Sequence, residues 1–175
     1  MMKQKKISTQ IVLLAITAGI GGLISLNWFL GKGISASMMN AEYLGSDGVV
    51  LQTKKNNCGP SALKMIFDFY GFSVPIEEIE KNVELTEKGS SMLALKKMAE
   101  SKGLKAEGWR LSPEDFMKQH FPILLFVHHN HYIIVDSAKS NDVFIRDPAI
   151  GKLKISKTKL INIWNGETLI FYNPH

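Results

Sequence analysis

The apolar residues of this chain follow three different rhythms. From Ile11 to Leu30 they are almost unbroken: twenty residues carry no charge, and only Thr17, Ser25 and Asn27 are strongly polar. That is about the length a helix needs to cross a ~30 Å hydrocarbon layer. From Cys58 the rhythm becomes helical. Leu63, Ile66, Phe67 and Tyr70 recur at i, i+3, i+4 and i+7, with Pro60 suited to a first turn and Gly71 to a stop. Ser73-Val74-Pro75-Ile76-Glu77-Glu78-Ile79 predicts a cap and a short amphipathic helix. Ser90 or Ser91 caps another, with Met92, Leu95 and Ala99 on one face and Gly103 beyond its end. A strand is expected from Leu104 to Leu111, and Ser112-Pro113-Glu114-Asp115 starts a further helix.

After Pro122 the rhythm shortens. Ile123 to Val127, His131 to Val135 and Val143 to Ile145 are brief runs rich in Ile, Val, Phe and Tyr, separated by turn residues. They predict an antiparallel meander, extended by a fourth strand over Lys152 to Ile155. A short helix over Lys157 to Trp164 and a closing strand over Thr168 to Tyr172 complete it. Val49-Val50-Leu51 predicts one more short strand ahead of the first helix. Helices first and strands second make this an α+β chain, with an N-terminal helical lobe packed on a C-terminal antiparallel sheet.

Three segments follow from these rhythms: residues 1–34 as basic head and transmembrane signal-anchor, 35–50 as linker, and 51–175 as the folded domain. Lys3, Lys5 and Lys6 precede the apolar span, and no acid occurs in the first 34 residues. This keeps the N-terminus in the cytoplasm and the domain outside it, on the periplasmic or extracellular face, as a single-pass anchored protein. The rival is a signal peptide cut near Ile34-Ser35-Ala36, releasing a secreted domain. The span exceeds the ~7–15 residues usual for a signal-peptide core, which favours the uncleaved anchor.

Charge narrows the field of partners. The net charge of +5 comes largely from the head, since four of the 21 basic residues lie in the first 34 positions. Beyond them 17 basic residues face 16 acidic ones. A nearly neutral domain offers no electrostatic footprint for nucleic acid. One cysteine makes no intramolecular disulfide, and His128, His129 and His131 fit no usual zinc spacing. No cofactor or metal is therefore expected.

That one cysteine, Cys58, opens the first predicted domain helix, where the dipole favours a thiolate. Gln52 lies six residues upstream, close enough for its amide to turn back toward the sulfur. His131 opens a strand and Asp147 ends the next, so antiparallel pairing would make them cross-strand partners at one sheet edge. A thiol peptidase needs such parts: a base for the thiolate, an orienter for the base, and donors for the oxyanion. Asn130 and Asp136 are the nearest other polar residues able to orient His131. Each residue also has a plainer reading: Cys58 as a small buried hydrophobe, His131 as a turn histidine, Asp147 as a turn-former before Pro148.

Taken together, Gln52, Cys58-Gly59, Leu63, Met65-Ile66 and Tyr70-Gly71 resemble the N-terminal signature of the C39 peptidases, the bacteriocin-processing cysteine peptidases. His131-Tyr132-Ile133-Ile134-Val135, Asp147-Pro148 with Gly151, and Trp164 with Gly166 resemble that family's later segments. The resemblance spans roughly Leu51 to Tyr172. It implies a papain-like fold, Cys58 as nucleophile, His131 as base, Asp147 as orienting residue and Gln52 as oxyanion donor. It also implies cleavage of a leader peptide after a Gly-Gly pair through a thioester, and a leader-bearing peptide or protein as substrate. Many relatives form part of a peptide-exporting ABC transporter, whereas this chain resembles a stand-alone, anchored form. Three other readings use the same residues: a catalytically silent peptide-binding module, a thiol amidase or acyltransferase, and a structural partner of a secretion or surface-assembly system.

Overall fold

A computed structural model of the protein describes residues 40–172. In chain order these form β1 (Glu42–Gly45), α1 (Cys58–Phe69), α2 (Ile76–Asn82), α3 (Met92–Ser101), β2 (Lys105–Arg110), α4 (Pro113–Phe116), β3 (Ile123–Val127), β4 (His131–Lys139), β5 (Asp142–Asp147), β6 (Gly151–Ser156), α5 (Lys157–Ile163) and β7 (Trp164–Tyr172). The strands make one antiparallel sheet in the order β1-β6-β5-β4-β3-β7-β2. Helices α1, α2 and α3 form the expected lobe on one face of it.

Both faces of the central strands are buried, which explains why β3 and β4 read as continuous apolar runs. Leu124, Tyr132 and Ile134 face the helical lobe with Leu63, Ile66, Phe67, Leu95 and Ala99. Ile123, Leu125, Val127, Ile133 and Val135 face a second core with Val143, Ile145, Leu153, Leu160 and Trp164. The period-2 pleat thus splits each strand between two cores, and it fixes the register that the active residues depend on.

Two helix starts, at Ser91 and Ser112, follow the predicted chemistry; Ser156 adds a third cap, while α2 begins after Pro75 with no side-chain cap bond where the sequence predicts a cap. The Ser91 hydroxyl accepts from the Ala94 N–H at 3.1 Å, Ser112 from Asp115 at 3.1 Å, and Ser156 from Lys159 at 3.1 Å. Tyr70, at the end of α1, donates its hydroxyl to the Phe171 carbonyl at 3.0 Å and ties the lobe to β7.

Two expectations meet a different arrangement. Residues Glu42–Gly45, inside the expected linker, form edge strand β1, pairing Glu42 with Lys154 and Tyr43 with Leu153 of β6. Gly151 permits this approach: its φ is +136°, and a Cβ there would lie 2.6 Å from the Gly45 carbonyl oxygen. Val49-Val50-Leu51 forms no strand; Val49 and Val50 instead pack against the helical-lobe core. Their apolarity serves burial rather than pairing. Among the described residues no helix is long and apolar enough to cross a membrane. The segment 1–34, with its apolar stretch, lies outside the described residues.

Candidate active site

Cys58 is the first residue of α1 and is 5% exposed. The loop before it is held by Asn57, which is buried. The Asn57 side-chain oxygen accepts from the Lys54 N–H at 3.0 Å, and its amide donates to Glu80 Oε1 of α2 at 2.8 Å. Glu80 Oε2 in turn takes the Lys54 ammonium at 2.6 Å. Hydrogen bonds to a buried amide are costly to lose, so this clamp fixes the path of the chain into the nucleophile. Gly59 then lets α1 dock closely: a Cβ there would meet Ser90 Oγ at 2.4 Å and the Tyr132 ring at 3.2 Å.

His131 and Asp147 arrive from the sheet. His131 opens β4 opposite Val127. The turn before it holds His128 and His129 at positive φ, 52° and 61°. Its tip is pinned by the His128 N–H to the Ile163 carbonyl at 2.8 Å. Because Ile134 pairs with Arg146, the next residue of β5, Asp147, lies at the His131 end of β4. The outcome is a 2.8 Å hydrogen bond from His131 Nε2 to Asp147 Oδ1. The Ala149 N–H donates to the same oxygen at 2.7 Å, and Asp147 is 3% exposed. Of the rival orienters, Asp136 is taken by the Arg146 guanidinium at 2.7–3.0 Å, and Asn130 is exposed.

With Nε2 committed to Asp147, the other ring nitrogen remains for Cys58, and the charges of the two side chains act on each other. Burial pushes the His131 pKa down, but the bond to Asp147, the bond to Cys58 and the two negative charges raise it to about 10. Burial likewise pushes the Cys58 thiol up. The His131 bond and charge outweigh that, helped by the N–H groups of Tyr132 and Gly59, so the thiol lies below its ordinary value. Both shifts favour a thiolate–imidazolium pair. The Tyr132 hydroxyl, raised by burial and by the Cys58 charge, stays protonated and donates to the Ser90 carbonyl at 3.0 Å.

Gln52 is held at the same end of the sheet, its N–H donating to the Pro148 carbonyl at 2.8 Å, next to Asp147. Its Nε2 donates to Lys54 O at 3.0 Å, which fixes the amide within the loop. An amide nitrogen carries two hydrogens, so one remains beyond that bond. His131 and Asp147 are therefore joined by a hydrogen bond, Cys58 is coupled electrostatically to the same imidazole, and Gln52 is tied to this end of the sheet through its backbone. The Asn57–Glu80–Lys54 clamp and the Tyr132 N–H were not foreseen from sequence. Glu80 lies on another helix, and no local spacing marks it.

Two clefts meet at this pair. One, of about 700 Å³, is lined by Cys58 with Ser90, Met92, Phe126, Tyr132 and Glu167 among others. The second, of about 580 Å³, is lined by His131, Asp147 and a set of aliphatic side chains. Lys55 and Asn130 border both.

Comparison with known proteins finds peptidases among those this chain is similar to. The chain is 31% identical to a double glycine motif protease from an AMS/PCAT transporter, whose crystal structure holds the leader peptide. That match covers 70% of this chain and 89% of that one, with a TM-score of 0.68. It is 26% identical over 132 residues to the lactococcin-G-processing and transport ATP-binding protein of Lactococcus lactis, covering 72% of this chain but 19% of that protein. It is 27% identical over 129 residues to the probable functional amyloid protease of Pseudomonas fluorescens, covering 67% of this chain and 57% of that one. The chain thus spans a fifth of the transporter and little over half of the amyloid protease. The family profile for the peptidase C39 family matches residues 46–175, so this papain-like chain belongs to that family and is a cysteine peptidase.

Proposed function

We propose that this protein cleaves a leader peptide from its substrate after a Gly-Gly pair, through a thioester formed on Cys58. The observation that carries the mechanism is the 2.8 Å bond between His131 Nε2 and Asp147 Oδ1, with Cys58 electrostatically coupled to the same imidazole. The Cys58 thiolate attacks the scissile carbonyl, forming the S–C bond. The oxyanion is met by the Cys58 N–H at the start of α1 and the second hydrogen of Gln52 Nε2. His131 gives its proton to the leaving nitrogen as the C–N bond breaks. It then takes a proton from water, which attacks the thioester and releases Cys58. Asp147 holds the imidazole in its tautomer throughout and balances its charge. The Gly-Gly preference is supported by the 31% identical double glycine motif protease.

The test is the full-length protein in mild detergent with a synthetic leader ending in Gly-Gly joined to a reporter peptide. Mass spectrometry should find one cut, after the second glycine, and none with Cys58→Ala. Cleavage elsewhere, or equal cleavage by the variant, refutes the reading.

We also propose that Ile11–Leu30 anchors the protein in a membrane with the domain outside the cytoplasm, on the strength of its uncharged length and the lysines before it. Reporters active only in the periplasm or only in the cytoplasm, fused after His175, test this. A signal from the cytoplasmic reporter alone would reverse the orientation.

A further inference from the structure

The two clefts differ in which member of the reacting pair they touch. Cys58 borders the first and not the second, and His131 and Asp147 border the second and not the first. That difference has a chemical meaning. The acyl half of the substrate becomes bonded to sulfur, so it stays on the Cys58 side. The departing half begins at the nitrogen that takes the proton from His131, so it lies on the imidazole side. The second cleft, which borders His131, lies on the imidazole side with the departing half.

The two clefts also differ in lining. Around the first, Met92, Phe126 and Tyr132 are interleaved with Glu87, Lys88, Ser90 and Glu167, whereas polar groups are fewer in the second. The second is walled by Val127, Ile133, Ile145, Ile150, Ile155 and Ile163. Its one carboxylate, Asp147, is occupied by His131 and the Ala149 N–H. Lys55, Lys159 and the exposed His128 edge the aliphatic walls. At about 580 Å³ it falls within the roughly 300–1,000 Å³ range of binding pockets.

We infer that this aliphatic cleft seats the first two residues of the departing segment and selects an apolar side chain there. The inference rests on the peptidase reading above and adds a preference on the far side of the cut bond. A branched or aromatic side chain gains by leaving water for these walls. A basic side chain loses twice: its charge would be buried without a partner, and Lys55 and Lys159 oppose it.

The experiment uses the full-length protein and one leader ending in Gly-Gly. The two residues beyond the cut are varied among Leu, Phe, Ala, Ser and Lys. A companion substrate carries the same leader on aminomethylcoumarin, as a fluorescent report of cleavage. Leu and Phe peptides should exceed the Ser and Lys peptides in kcat/KM by about 10–100-fold. Ile163→Ala, at a half-buried wall position, should narrow that range several-fold when the peptides are compared within the variant. Lys159→Glu should raise the Lys peptide relative to the Ser peptide. Equal kcat/KM across a series that is all cleaved overturns the pocket and leaves the peptidase reading standing. No cleavage of any peptide and no coumarin release overturns the peptidase reading and the pocket with it.

Discussion

The helical lobe that carries Cys58 and the sheet that carries His131 and Asp147 reach one point by different means. Helix α1 is set by burial: Ala62, Leu63, Ile66 and Phe67 are fully enclosed, and the Asn57–Glu80 clamp fixes its entry. The sheet residues are set by register, through the Val127–His131 and Ile134–Arg146 pairings. Burial is spread over many contacts and tolerates loss in proportion to volume. Register is discrete, and a one-residue slip would carry His131 to the opposite face. Damage to the lobe should therefore cost stability first, and damage to the sheet residues should cost chemistry first.

The sharpest way to break that contrast is Asp147→Asn. The amide fills the same space but favours the wrong imidazole tautomer, so kcat should fall by up to ~10⁴-fold, as in the serine-protease precedent. Thermal melting should stay near the native value. A native rate in a folded variant would mean that another group orients His131. Gln52→Ala comes next, with turnover lower by ~10²–10³-fold for a lost oxyanion donor and Cys58 alkylation unchanged. If alkylation slowed in parallel, Gln52 would be shaping the thiolate instead. Leu63→Ala probes the other side of the comparison. A fully buried leucine truncated to alanine should cost about 2–5 kcal/mol in denaturant unfolding. The molecules that remain folded should turn over at the native kcat. A large kcat loss at full folding would show that the lobe tunes the chemistry directly.

Much of this layout is legible in the sequence, for reasons that differ by region. The 3.6-residue period of Leu63, Ile66, Phe67 and Tyr70 is a local signal, and it marks α1 and its buried face. The meander from Ile123 to Ile155 is also local, because each hairpin joins neighbours, and that brings His131 beside Asp147. Non-local pairing leaves no such trace. Strand β7 inserts between β3 and β2, and β1 covers the β6 edge, through contacts that no turn encodes. The Asn57–Glu80 bond is illegible for the same reason, since it joins a loop to a separate helix. The aliphatic cleft was hidden differently. Ile133, Ile145 and Ile155 read as ordinary strand residues, and the pattern that predicts burial does not separate a core wall from a pocket wall.

The central claim is that Cys58 is a thiolate because His131 is an imidazolium, and alkylation against pH measures it most directly. The Cys58 pKa is depressed and the His131 pKa is raised to about 10, so both charges coexist between the two values. Iodoacetamide should label the native full-length protein well below the ~8.5 of a free thiol. Peptide turnover should fall again as pH rises toward 10 and His131 loses its proton. In His131→Ala the counter-charge is gone, while burial still disfavours the thiolate. Its labelling should move to the free-thiol range or above. Identical labelling profiles for the two proteins would contradict the account.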